Sequence, residues 1–197
     1  MARPRKFDED EVVAAARERF WATGYDGTSM SDLVEATGVA SQSLYGAFGS
    51  KHGLFMRTLH AYCTGQIAGL TAAAEKMQSP WQTALAAVTF DEGGRPELTP
   101  EGCFLSSSAV TMSRRDHAVR ELWEQTYDDV LRVFVHLLRR ARDLGEIRPD
   151  VNIDDAAVAM IVAMQGIEFL RKSGASDEIY ATAKRATTAT LTAAYTV

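Results

Sequence analysis

The chain has 197 residues, 46% hydrophobic and 24% charged, with a formal net charge of −5. That supplies enough apolar residues for one large core or two small ones, and it excludes a protein that coats nucleic acid through bulk charge. Cysteine occurs only at Cys63 and Cys103, without CxxC spacing, which gives neither a disulfide framework nor a zinc site and fits a reduced cytoplasmic setting.

Asp8-Glu9-Asp10-Glu11 opens the first predicted helix, with acid where the N-terminal dipole favours it. Val12, Val13, Ala16 and Phe20 form its apolar face, Gly24 ends it, and Tyr25-Asp26-Gly27 is a turn. A second helix starts at Ser29, which makes a capping box with Asp32; Leu33, Ala36 and Thr37 share a face. Gly38 can take the left-handed conformation that stops this helix and turns the chain. A third short helix begins near Ser41, with Leu44 and Phe48 inward and Gln42, Ser43 and Tyr45 outward. Two short helices about a glycine turn form either a DNA-reading helix-turn-helix or a plain helical hairpin within an all-α domain.

Charge separates these readings. No Asp or Glu occurs from Ala36 through Ala74, whereas Lys51, His52, Arg57 and His60 do, with hydroxyls at Ser41, Ser43, Tyr45 and Ser50. A face that approaches phosphates should exclude carboxylates and offer cations and short donors, while a core hairpin has no such need. DNA binding is favoured. Arg3, Arg5 and Lys6 around Pro4 then read either as an arm for the DNA backbone or minor groove, or as a solvated terminus.

Phe20-x3-Gly24-Tyr25-x2-Thr28-Ser29, Gly38-Val39 and Leu44-Tyr45-x2-Phe48-x2-Lys51-x2-Leu54-Phe55 resemble, in order and spacing, the DNA-binding domain of the TetR/AcrR family of transcriptional regulators. The resemblance covers residues 7–60. It implies an all-α fold, with a three-helix helix-turn-helix domain over residues 1–60. A long helix would join this to a helical ligand-binding and dimerisation domain over residues 61–197. It also implies that Ser41, Gln42 and Ser43 lie on the recognition helix. Tyr45, Lys51, Thr28 and Ser29 would contact phosphates of double-stranded operator DNA. Ala40 stands where many relatives carry a capping Ser, a task Ser41 could take over, and Gly46-Ala47 replaces a bulkier pair.

Beyond Lys51 a long helix is expected to about Met77, held by Leu54, Phe55, Leu59 and Tyr62. Gly65 and Gly69 mark either a close helix contact or a bend. Ser79-Pro80 starts a short helix with Trp81, Ala84, Leu85 and Val88, and residues 91–101 read as a surface loop. The uncharged run 102–110 predicts a buried helix. Residues 115–144 predict a long amphipathic helix with Val119, Leu122, Trp123, Tyr127, Val130, Leu131, Phe134, Leu137 and Leu138 on its apolar face. A helix from about residue 150 is apolar around most of its circumference over 156–167, so it needs cover on two sides. The last runs over about 176–194. A second copy of the chain is the natural cover, and the resemblance likewise implies a homodimer.

The four histidines are scattered and no triad or carboxylate pair can be read, so no enzyme, metal or cofactor is expected. The longest apolar run, 156–164, is too short to span a bilayer, so no membrane partner is expected. Phe104, Ser107, Trp123, Tyr127, Phe134, Met160, Met164 and Gln165 are candidates to line a pocket for a small-molecule effector. Cys103, at the start of an uncharged helix, is a candidate sensor thiol and the alternative way to respond. The combined reading is a dimeric regulator, a repressor released from a palindromic operator by its effector.

Overall fold

A computed structural model describes residues 7–76, 78–90 and 102–196; the basic arm over 1–6 and the loop expected over 91–101 lie outside the described residues. Among those described, the secondary structure is all helix: α1 (Glu9–Thr23), α2 (Met30–Thr37), α3 (Ser41–Phe48), α4 (Lys51–Lys76), α5 (Pro80–Thr89), α6 (Phe104–Met112), α7 (His117–Asp143), α8 (Ile153–Lys172) and α9 (Asp177–Tyr195). None is long and apolar enough to cross a membrane.

Local chemistry sets most boundaries. Asp8 caps α1 by accepting from the amides of Asp10 and Glu11. Gly24 ends α1 at φ 73°, and Gly38 ends α2 in the left-handed region at φ 67°. The capping box of α2 is formed: the Asp32 amide donates to Ser29 Oγ and the Ser29 amide to Asp32 Oδ2. Ser79 caps α5 with Pro80 in its first turn, and Asn152 caps α8. The cap foreseen on α3 is absent. Ala40 occupies that position with no side-chain bond, because Ser41 is already the first helical residue.

The chain divides into two compact units. One comprises residues up to Thr64 together with Phe104–Trp123, and the other Gly65–Cys103 with Glu124–Val197. The sequence places residues 104–123 with the ligand-binding half, but they pack with the DNA-binding helices. Phe104 is the reason: it is 1% exposed and its ring meets Trp21, Phe55 and Tyr62 at centroid distances of 5.8, 5.9 and 5.9 Å. Phe20 meets Phe55 at 5.1 Å and Trp21 meets Tyr62 at 5.2 Å, extending the aromatic core of this unit. Of the expected face of α2, Leu33 alone is fully inward; Ala36 is exposed and Thr37 half-buried.

In the second unit α5, α7, α8 and α9 enclose Trp81, Val88, Phe134, Leu138, Met160 and Leu191. Polar groups close its corners. The Trp81 amide donates to Glu146 Oε2 at 2.8 Å, and Arg140 donates to the Ala74 carbonyl at the end of α4. Two readings change here. A Cβ added at Gly65 or Gly69 meets nothing within 4 Å, so no described helix packs closely there. The helix expected to be buried over 102–110 begins at Phe104 and is one-sided, since Val110 is 87% exposed.

Candidate nucleic-acid interface

The surface of interest is built on α3. Leu44 is buried at 1% and anchors the helix, which leaves Gln42, Ser43, Tyr45 and Gly46 exposed and Ser41 half-buried. Their outward placement follows from helical spacing, with one apolar anchor per turn and polar residues between. The turn before α3 is held locally: Thr37 Oγ1 donates to the Leu33 carbonyl at 2.6 Å, and the Val39 amide donates back to that hydroxyl at 3.3 Å. At the other end of α2, Arg19 of α1 pairs with Asp32 at 3.0 Å. The Ser29 amide, the Ser29 hydroxyl and Arg19 together hold the Asp32 carboxyl below its usual range.

Ser29 is exposed at the head of α2, whereas the Thr28 side chain is turned inward. It is 1% exposed, lies 2.7 Å from the Thr23 hydroxyl and donates to the Gly24 carbonyl at 2.7 Å. Thr28 differs in this from the phosphate contact expected of it, because an enclosed hydroxyl supports the turn. Its carbonyl has a second task, accepting from Lys51 Nζ at 2.6 Å. The same ammonium sits 4.2 Å from the centre of the Tyr25 ring. Lys51 therefore ties the first turn of α4 to the segment leading into α2.

The departure at Gly46 is also explained locally. A Cβ there meets nothing within 4 Å, so glycine is not required by packing. Gly46→Ala should raise stability by about 0.5–1 kcal/mol, through a smaller loss of backbone entropy. Thermal unfolding of the two chains compares them directly, and an unchanged or lower midpoint would contradict this.

Of the residues expected to line a ligand pocket, Phe104, Ser107 and Trp123 belong to the first unit, and Tyr127, Phe134, Met160, Met164 and Gln165 to the second, as does Cys103, the candidate sensor thiol. Tyr127, Phe134, Met160 and Met164 share one hydrophobic cluster, with Phe134 and Met160 fully buried. Trp123 is 39% exposed and Gln165 is exposed. Cys103 is a half-buried thiol. Sequence reasoning missed the parts of Trp21, Asp26, Arg115 and Asp116 in the first unit, because their partners lie far away in the chain and no short motif links them.

A family model described as "Bacterial regulatory proteins, tetR family" matches residues 12–58, and one described as "Tetracyclin repressor-like, C-terminal domain" matches residues 81–187. The uncharacterized HTH-type transcriptional regulator YezE of Bacillus subtilis (strain 168) is 31% identical over 177 residues, covering 87% of this chain and 90% of its own length. The HTH-type transcriptional repressor ComR of Escherichia coli (strain K12) is 29% identical over 180 residues, covering 89% and 85%. Among solved structures, a cysteine mutant of the TetR family regulator CifR, complexed with 26-bp double-strand operator DNA, has a TM-score of 0.80 at 28% identity, covering 95% of this chain and 99% of that one. The helix-turn-helix geometry, two family matches along the chain and relatives alike over most of their length lead to one assignment: the chain belongs to the TetR family of DNA-binding transcriptional regulators.

Proposed function

We propose that this regulator is a homodimeric repressor that a small-molecule effector releases from a palindromic operator. The observation that carries this reading is α8. Its one face lies in the core through Met160, Ile161 and Met164, while its other presents Val158, Val162 and Phe169 at 40, 64 and 67% exposure. A second copy is the cover that a self-complementary apolar stripe fits, and two copies present two α3 helices to two half-sites. Each half-site would be read by Gln42 with Ser41 and Ser43, while Ser29, Tyr45 and Lys51 hold the backbone and Thr28 supports them.

Release follows from population shift. An effector that favours one arrangement of the reading helices over another can weaken DNA binding only by its difference in affinity for the two. A second reading places the response on Cys103 by oxidation or alkylation. It is favoured by the partial exposure of that thiol just ahead of α6.

The two readings separate by mutation. Apolar and aromatic compounds are tested for release of labelled operator from the wild-type chain, followed by anisotropy. With a non-covalent effector, Cys103→Ser still releases DNA, and Trp123→Ala needs about tenfold or more effector through the loss of a large apolar contact. A Cys103→Ser chain that ignores every releasing compound, with Trp123→Ala responding normally, would establish the thiol route instead.

A further inference from the structure

The corner between α6 and α7 is fastened to the head of α4 by one carboxylate that performs two tasks. Asp116 Oδ1 accepts from the amides of Ala118 and Val119 at 3.1 and 3.2 Å and so caps α7. Its Oδ2 lies 2.7 Å from His52 Nε2, in the turn of α4 that begins with Lys51. Beside it, Arg115 pairs with Asp26 in the turn between α1 and α2. Tyr25 completes the group, its ring edge-on to His52 at 6.1 Å and facing the Lys51 ammonium.

The charged and titratable groups gathered around His52 are thus Asp116, Arg115, Asp26, Tyr25 and Lys51. Burial pushes the Asp116 carboxyl up, but the His52 hydrogen bond and charge and the two capping amides outweigh it and leave it below the usual range. A lowered carboxyl stays ionised throughout the neutral range. Burial, then the charges of Asp116 and Asp26, raise Tyr25 against the opposing effect of Arg115, so its phenol stays neutral there.

We propose that His52 and Asp116 are positioning residues for operator binding, whose pair sets the first turn of α4, and with it Lys51, against the α6–α7 corner. The inference rests on the assignment of the chain as a DNA-binding regulator and is independent of any effector. A hydrogen bond to the ionised Asp116 carboxylate is charge-assisted, the stronger kind.

Simple charge counting makes the opposite prediction for one variant. Removing a carboxylate from a unit that approaches polyanionic DNA should tighten binding. Asp116→Asn removes that charge yet keeps a side chain that caps a helix as well as Asp does, so α7 retains its start. If the pair positions α4, this variant binds DNA more weakly, not more tightly.

The test titrates wild type, Asp116→Asn and His52→Gln against a duplex selected from a random pool by the wild-type chain, at constant ionic strength. Both variants should bind about threefold or more weakly than wild type, with their helical circular dichroism unchanged. Asp116→Glu, which keeps the charge, should recover part of that affinity. Asp116→Asn binding as tightly as wild type or more so would overturn the proposal. So would an Asp116→Glu chain that binds no better than Asp116→Asn. A wild-type chain that selects no duplex would overturn the DNA-binding assignment and the proposal together.

Discussion

Val162→Arg should convert the proposed dimer to monomers and weaken operator binding by about 100-fold or more, the advantage lost when two linked half-sites are no longer engaged together. Val162 is 64% exposed in the single chain, so arginine costs the fold of one copy little. Across a two-fold interface the same substitution appears twice and brings two guanidinium groups into an apolar patch, where unpaired charge is expensive. Light scattering at micromolar concentration measures the mass, and anisotropy on the selected duplex measures the affinity. Leu191 is a poor choice for this experiment, because it is the α9 residue taken into the chain's own core. A Val162→Arg dimer with wild-type affinity would remove α8 from the interface.

Phe104→Ala should cost about 3–5 kcal/mol of folding stability, the range for deleting a fully buried aromatic ring. A domain has only about 5–15 kcal/mol in total, so the loss should be visible in urea unfolding and in operator binding on warming. This outcome distinguishes two parts Phe104 could play. A ring lining a cavity kept open for a ligand would be cheap to remove and would chiefly alter the effector response. A ring that meets Trp21, Phe55 and Tyr62 within 6 Å is structural. A cost below about 1 kcal/mol would return Phe104 to the pocket.

The contrast between these residues shows what can be read from the chain before folding. Caps and glycine stops are local, with both partners within a few residues, so Asp8, Gly24, Ser29 with Asp32, Gly38 and Ser79 with Pro80 are visible at once. The outward face of α3 is equally local, since one buried Leu44 fixes which neighbours face out. Interactions between distant segments leave no such trace. Nothing near His52 indicates Asp116, and nothing near Trp21 indicates Phe104, because each pairing depends on the path of the intervening helices. Thr28 illustrates a middle case. Its position was legible, but whether its hydroxyl faced DNA or the interior depended on Thr23 and the Gly24 carbonyl behind it.

The most direct measurement of the central claim is sequence preference at single base pairs, for wild type and Gln42→Ala, using variants of the selected duplex. Gln42 is exposed in the first turn of α3, and an amide there can bond bidentately to adenine, worth about 1–3 kcal/mol of discrimination per half-site. Two symmetric positions, one in each half of a palindrome, should lose their preference in Gln42→Ala, while preferences elsewhere stay as in wild type. Preference unchanged at every position, or a bound sequence with no two-fold symmetry, would contradict the assignment of α3 as the reading element of a dimer.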